Sequence, residues 1–430
     1  MSRIGVVGAG YVGLTTAACF AHLGHEVCCA DSDAARIEAL SKARIHILED
    51  GLADLVAEGI AGGRLRFVLG AAAAARDAEY VFLCVPTPQG DNGAADLSTI
   101  EAVAREVAPV LRQHAVVVNK STAPVGSTRL VARFLTEAGA PSDVGVAANP
   151  EFLREGSAVR DFLEPSRVVI GCEDTAVAVR ISELYEGVKT PIVVTDPASA
   201  EMVKYASNAF LSTKISFVNA IANLCEAVGA DVREVTLGMG YDARIGFEFL
   251  RPGPGFGGSC LPKDTAALLH TAESAGYDFS LLRGVIEVNR EQHERIVDKI
   301  RSAVGGDLTD ARVAVWGLTF KANTDDLRAS PALAIVERLL GEGASVVAYD
   351  PVASDAAASA LSALEIAGDP YAACKGAGVL AVLTEWDEFR WLDFDRIADV
   401  METPRVVDAR NLLDPASMRR RGFEYQGVGR

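Results

Sequence analysis

The chain has 430 residues, half of them hydrophobic, and a formal net charge of −17. That length predicts roughly three domains, each able to bury its own core. The acidic balance excludes nucleic acid and anionic membrane as partners, so an anionic ligand needs a local basic pocket. Eight cysteines without a C-x-x-C pair, and no H-E-x-x-H, exclude a disulfide framework and a zinc site; no metal is expected. No apolar run reaches the roughly 18 residues of a membrane span, and no signal peptide opens the chain, so a cytoplasmic, reduced setting is expected.

Arg3 to Val7 reads as a buried strand, Gly8-Ala-Gly10-Tyr11-Val12-Gly13 as a turn, Leu14 to Leu23 as a helix, and Glu26 to Ala30 as a second strand ending at Asp31. Within this β-turn-α-β unit Gly8 makes the tight turn, Gly10 lets a pyrophosphate approach, and Gly13 packs helix on strand. The helix start supplies amides to the phosphates. Asp31 is expected to bond ribose hydroxyls and to repel a 2′-phosphate, which favours NAD over NADP.

Further apolar runs follow at α/β spacing: Tyr80 to Val85 into Pro86-Thr87-Pro88, Val116 to Asn119 into Lys120-Ser121-Thr122, and Val144 to Ala148 into Asn149-Pro-Glu151-Phe-Leu-Arg-Glu155-Gly156. In a doubly wound sheet these carboxyl ends form the ligand crevice, so Thr87, Ser121, Thr122, Glu151 and Glu155 are expected to converge. Ala71 to Ala75 reads as helical filler, and Val168 to Ile170 and Ile192 to Val194 as edge strands completing a first domain, 1–195. Ala198 to Val228 lacks glycine and proline and can form a helix of about 45 Å at 1.5 Å per residue. Such a helix spans domains or makes a dimer interface. Lys204 and Asn208 share one face of it, with Glu201 one turn earlier.

A central helical domain, 196–304, takes in this helix and amphipathic segments from Asp264 to Ala275 and Phe279 to Val304. In a third domain, 305–430, Val313 to Trp316, the turn Gly317-Leu-Thr-Phe320-Lys321, a helix from Ser330-Pro331 and the strand Ser345 to Ala348 ending at Asp350 repeat the opening unit without its three glycines. That domain is expected to hold a different phosphate ligand, with Lys321 as charge partner. The fold class is therefore α/β: two Rossmann-like doubly wound domains joined by a helical domain with one long helix.

One stretch organises the chemistry. Phe249-Leu250-Arg251-Pro-Gly-Pro-Gly-Phe-Gly257-Gly-Ser-Cys260-Leu-Pro-Lys263-Asp264 crowds four glycines before a cysteine, with Pro262 suited to a first helical turn. A thiol ahead of a helix start and beside a lysine sits where its thiolate is favoured. Plain alcohol dehydrogenation needs no nucleophile. A thiol becomes useful when an aldehyde goes on to an acid through a thiohemiacetal and a thioester.

Together with Glu201-Met-Val-Lys204-Tyr-Ala-Ser-Asn208 and Thr324-Asp-Asp-Leu-Arg328-x-Ser-Pro331, these motifs resemble those of the UDP-glucose/GDP-mannose dehydrogenase family of nucleotide-sugar dehydrogenases over nearly the whole chain. The resemblance implies NAD-dependent oxidation of UDP-glucose to UDP-glucuronate with two NADH per sugar. It implies that Cys260 is the nucleophile, that Lys204 and Asn208 stabilise the oxyanion, that Asp264 assists water or proton transfer, and that Glu151 and Thr122 serve thioester hydrolysis. Arg36, Ser121, Thr122, Glu155, Lys263 and Arg328 would lie near NAD, with Gly8, Gly10, Tyr11, Val12, Gly13, Asp31 and Thr87. Glu151, Phe152, Leu153, Arg154, Glu155, Lys204, Asn208, Phe249, Leu250, Arg251, Gly257, Phe320, Lys321 and Arg410 would contact the sugar nucleotide. Arg244 would reach in from a neighbouring subunit of a homodimer or larger homo-oligomer. The sequence departs from the family pattern where Pro-x-x-Glu-Pro-Gly-Leu reads His46-Ile-Leu-Glu49-Asp50-Gly-Leu52, a change expected in a surface loop, and at Ala123 and Ser127. GDP-mannose or a UDP-N-acetylhexosamine as substrate, a one-step hydroxyacid dehydrogenase, and a non-enzymatic NAD sensor are the other readings.

Overall fold

A computed structural model describes residues 1–90 and 94–430. The chain divides into two compact units, Met1–Ser207 with Ala266–Ser274, and Asn208–Thr265 with Ala275–Arg430.

The first unit is built on an eight-stranded sheet in the order β3-β2-β1-β4-β5-β6-β7-β8. The strands are β1 (Arg3–Val7), β2 (Glu26–Asp31), β3 (Leu65–Leu69), β4 (Tyr80–Leu83), β5 (Val116–Asn119), β6 (Gly145–Ala148), β7 (Val168–Cys172) and β8 (Ile192–Thr195). Pairing is parallel except between β6 and β7. Successive strand residues face opposite sides, so the apolar runs feed two cores: Tyr80, Phe82, Val116 and Val118 enter one, Val81, Leu83 and Val117 the other. Helices on both faces explain why these strands read as unbroken apolar runs rather than as alternations. β7 lies inside the sheet, between β6 and β8; of the two expected edge strands β8 alone is an edge, and Ile192, Val193 and Val194 are exposed there.

The second unit carries a six-stranded, all-parallel sheet in the order β11-β10-β9-β12-β13-β14. Its strands are β9 (Arg312–Trp316), β10 (Ser345–Tyr349), β11 (Glu365–Ile366), β12 (Val379–Val382), β13 (Arg405–Asp408) and β14 (Glu424–Gln426). Val313, Val315 and Val379 enter one core and Ala314, Trp316 and Leu380 the other. Between β8 and β9 the chain runs through the helices Pro197–Val228, Val232–Gly240, Leu261–Ser274 and Ser280–Ala303. The last residues are also anchored: the Val232 amide donates to the Gly429 carbonyl at 2.9 Å, and the Gly429 amide to Glu226 Oε1 at 2.6 Å. Lys299 pairs with that carboxylate at 2.8 Å.

Candidate functional site

In the first unit the carboxyl ends of β1, β2, β4, β5 and β6 share one edge of the sheet, as parallel pairing demands. Gly8 has φ +99°, and a Cβ at Gly13 would stand 1.8 Å from the Gly8 carbonyl oxygen. A Cβ at Gly10 meets no heavy atom within 4 Å among the described residues. That open approach to the first helix, Tyr11–His22, fits a dinucleotide pyrophosphate. Asp31 closes β2 and accepts from the Ala9 amide at 2.9 Å, the Asp33 amide at 3.0 Å and Arg36 Nη1 at 3.0 Å. Burial pulls its pKa upward, but these donors outweigh burial and hold it below the usual carboxylate value. A firmly ionised acceptor at this place suits ribose hydroxyls.

The segments after β4, β5 and β6 are knit together. Thr87 Oγ1 donates to the Thr122 carbonyl at 2.7 Å, and Ser121 Oγ to the Val85 carbonyl at 2.7 Å. Ser121, Thr122, Pro150 and Lys204 line one small cleft. Lys204 Nζ donates to Glu151 Oε1 at 2.8 Å, with both side chains buried, and Glu151 Oε2 accepts from the Leu153 amide at 2.6 Å. Burial alone would raise the Glu151 pKa; the ammonium of Lys204 and this amide reverse the direction and keep it low. Glu201, one turn before Lys204, has a different task. It accepts from the Gly126 and Thr128 amides and from Thr128 Oγ1, at 2.6, 2.7 and 2.6 Å, and so caps helix Ser127–Glu137. Arg154 forms an outward pair with Asp161 at 2.6 Å, and Phe152 lies 3.5 Å under the guanidinium of Arg167.

Two residues in this unit escaped the sequence reading. Lys120 is fully buried, donates to Asn149 Oδ1 at 3.0 Å, and has its pKa pushed down by burial to about 8. A lysine ending an apolar run was the available signal. Glu49 is buried between exposed Leu48 and Asp50, so the departing His46–Leu52 segment is not merely a surface loop. An acid turned inward while a leucine faces out is its signal.

In the second unit Cys260 sits directly before helix Leu261–Ser274, as its sequence position implies. Asp264, one turn into that helix, is fully buried; it accepts from Asn208 Nδ2 at 2.6 Å and from Lys263 Nζ at 2.7 Å. The Lys263 ammonium is thus engaged by the aspartate beside the thiol. Ser259 Oγ lies 3.5 Å from Cys260 Sγ. The preceding loop is clamped through its main chain. The Gly253 amide donates to Asn219 Oδ1 at 2.8 Å, Gln292 Nε2 to the Gly253 carbonyl at 2.9 Å, and the Phe256 amide to Asn289 Oδ1 at 2.7 Å. Cβ atoms at Gly257 and Gly258 would collide with the Ala329 carbonyl and the Phe320 ring, so close approach requires glycine there. Phe249 has φ +62° and Leu250 is buried, while Arg251 is exposed. Arg410 donates to the carbonyls of Leu383 and Phe320, each at 2.8 Å, and pairs with Glu385. Lys321 Nζ lies 5.6 Å over the Phe320 ring. Arg328 pairs with Asp326, and Arg244 with Asp242; the Arg244 side chain is 89% exposed.

Three family sequence models match in chain order: the NAD binding domain over residues 2–189, the central domain over 198–291 and the UDP binding domain over 314–415. The chain is 46% identical over 435 residues to the UDP-glucose 6-dehydrogenase of Rhizobium meliloti, covering 100% of this chain and 99% of the relative. Its fold superposes with TM-score 0.93 and 38% identity on a UDP-glucose dehydrogenase from the archaeon Pyrobaculum islandicum, over 100% of this chain and 98% of that one. A UDP-D-ManNAc dehydrogenase from Pyrococcus horikoshii gives 0.88 and 29%, over 100% and 99%. A thiol and a buried Asn-Asp pair on one unit, and a dinucleotide turn with a buried Lys-Glu pair on the other, thus stand within a full-length match, and the chain belongs to the UDP-glucose/GDP-mannose dehydrogenase family.

Proposed function

We propose that this protein oxidises UDP-glucose to UDP-glucuronate with NAD, releasing two NADH per sugar. Identity of 46% to a UDP-glucose enzyme, against 29% to a UDP-ManNAc enzyme, favours glucose over the N-acetylhexosamines. The chemistry rests on one observation: Asp264 is fully buried, bonded by Asn208, and one helical turn from Cys260. Bound NAD, when present at the Gly8–Gly13 turn, supplies the hydride acceptor. The alcohol at C6 would pass a hydride to that acceptor and its hydroxyl proton to water, giving the aldehyde. Cys260 Sγ then adds to that carbon as thiolate, forming a C–S bond, and Lys204 and Asn208 steady the alkoxide. Loss of the second hydride leaves a thioester. Water attacks its carbonyl carbon, the C–S bond breaks, and the thiolate leaves, with Asp264 or Glu151, assisted by Thr122, taking the water's proton. Glu155, Phe152 to Arg154, the Phe249–Gly257 loop, Phe320, Lys321 and Arg410 hold the sugar nucleotide in this reading, and Arg36, Ser121, Lys263 and Arg328 lie toward the cofactor.

The domain division 1–195, 196–304 and 305–430 accompanies this proposal, as does a homodimer. Phe210, Phe217 and Leu224 recur at seven-residue spacing on helix Pro197–Val228 and are 66%, 50% and 56% exposed, an apolar stripe that a second copy would cover. Arg244, held out by Asp242, would then enter the partner's site. No described helix is long and apolar enough to cross a membrane, and the cysteines form no disulfide among the described residues, in keeping with a cytoplasmic location.

The test is NADH release from a panel of nucleotide sugars, with two NADH expected per UDP-glucose and no free aldehyde. Cys260→Ala is expected to lose activity by roughly thousands-fold. In Asp264→Asn a uronyl adduct on the Cys260 peptide should build up in intact-mass spectra. Near-normal two-NADH turnover by Cys260→Ala would refute the covalent route.

A further inference from the structure

The segment that departs from the family pattern contains one buried acid. Glu49 is 6% exposed, while its neighbours Leu48 and Asp50 face solvent. Its two oxygens join Tyr11, 38 residues before it, to Gly156 and Ala158, 107 and 109 residues after it. Oε1 accepts from the Ala158 amide at 2.7 Å, and Oε2 from the Gly156 amide at 2.7 Å and from the Tyr11 hydroxyl. The Gly156 amide also points at the Tyr11 oxygen, at 2.7 Å. Tyr11 is the first residue of the helix that opens at the dinucleotide turn. Gly156, at φ +80°, closes the segment that begins at Asn149 and carries Glu151 and Glu155. A buried carboxylate held by charge-assisted bonds to both is a stiff link, because losing any one of its donors leaves a buried acceptor short of a partner.

We propose that Glu49 is a positioning residue that couples occupancy of the dinucleotide turn to the conformation of the Asn149–Gly156 segment, so that cofactor and sugar nucleotide change each other's affinity. The inference rests on the proposed function, in which that segment faces the sugar nucleotide. Coupling of this kind is reciprocal, and it is readable without turnover. NADH with UDP-glucose is a pair that cannot react, since NADH has no hydride vacancy.

The experiment measures the dissociation constant of NADH by its fluorescence, with and without saturating UDP-glucose, in wild type, Tyr11→Phe and Glu49→Gln. The expected wild-type ratio differs from one by several-fold. Tyr11→Phe keeps the ring and both amide bonds to Glu49, and should move the ratio toward one while lowering the melting temperature less than Glu49→Gln does. Glu49→Gln should bring the ratio to one, and adding Tyr11→Phe to it should change nothing more, because the two groups act through one link. A wild-type ratio of one, a ratio unchanged in Tyr11→Phe, or independent effects in the double variant would overturn the proposal. If the wild type makes no NADH from UDP-glucose, the proposed function fails instead, and the two failures are told apart in the same preparation.

Discussion

The two sheets repeat one connection and use it differently. β1, a glycine turn, a helix and β2 lead to Asp31; β9, a glycine turn, the helix Pro331–Gly341 and β10 lead to Asp350. The strand orders β3-β2-β1-β4-β5 and β11-β10-β9-β12-β13 correspond position for position. Yet Asp31 stays partly exposed, whereas Asp350 is 2% exposed and fully occupied. Asp350 Oδ2 accepts from the Leu318 amide at 2.7 Å, the Thr319 amide at 3.2 Å and Trp386 Nε1 at 3.2 Å; Oδ1 accepts from Val352 and Ala353 at 3.0 and 2.9 Å. The first turn glycines, Gly8 and Gly317, are equally hemmed in, a Cβ at either standing within 2.4 Å of a neighbour, but two residues on Gly10 leaves open space where the second turn has the fully buried Thr319. The same topological acid is left partly exposed in one sheet and is an internal bolt in the other, and burial with the hydrogen-bond inventory tells them apart.

Asparagine at each acid breaks or sharpens this contrast most strongly. Asp350→Asn turns an amide NH2 toward buried N–H donors and is expected to destabilise by roughly 2–4 kcal/mol in denaturant unfolding. Asp31→Asn should alter stability by about 1 kcal/mol or less, while the preference for NAD over NADP falls about 10- to 100-fold. Equal stability losses at the two sites would erase the distinction.

Alanine in the two turns gives a smaller effect of the same kind. Gly317→Ala combines φ +86° with the clash against Thr384 and should lose about 1–3 kcal/mol. Gly10→Ala has φ −75° and no neighbour to strike, so its melting temperature should hold while NADH binding weakens.

The most gradual effect is a pH slope, set by the strand ends β5 and β13. After β5 stands buried Lys120, with its pKa lowered by burial to about 8; β13 ends in buried Asp408, whose pKa burial raises against the amides of Leu413 and Leu412. Folding therefore weakens the hold of Lys120 on its proton, and between pH about 8 and the unfolded value near 10.4 the unfolded chain binds more protons. Stability from this group rises with pH in that window and is lost as pH falls through about 8. Measured as the difference between wild type and Lys120→Met, which cancels most of the opposing contribution of the buried thiols Cys19 and Cys84, the slope should be positive and at most about 1.4 kcal/mol per pH unit. A flat difference would show that the folded chain holds the Lys120 proton as firmly as the unfolded one does.

Long apolar runs made β1, β2, β4, β5, β6, β9 and β10 legible, because buried strands leave no polar alternation to confuse them. β3, β11 and β14 were not: Leu65–Leu69 carries Arg66, and Glu365–Ile366 and Glu424–Gln426 are two and three residues long. Short strands are chosen by their neighbours rather than by their own sequence. Val168 to Ile170 looked like an edge because sequence cannot reveal that β7 runs antiparallel to β6 and takes β8 beyond it. Among the site residues, Cys260, Asp264, Lys204 and Asn208 stood out by spacing. Who pairs with whom did not, since the bonds from Lys204 to Glu151 and from Glu201 to Thr128 span 53 and 73 residues. The engagement of Lys263 by Asp264 was likewise invisible, as both residues looked free to serve the thiol.

The anchoring of Gly429 sets a timetable for synthesis. Glu226 bonds a residue 203 positions later, so the Glu226–Val232 junction lacks its partner until that stretch has been made. At roughly 5–20 residues per second that is a wait on the order of 10–40 s. During that interval Glu226, Lys299 and the Val232 amide stand without their final closure, and the nascent second unit is open to chaperones and proteases.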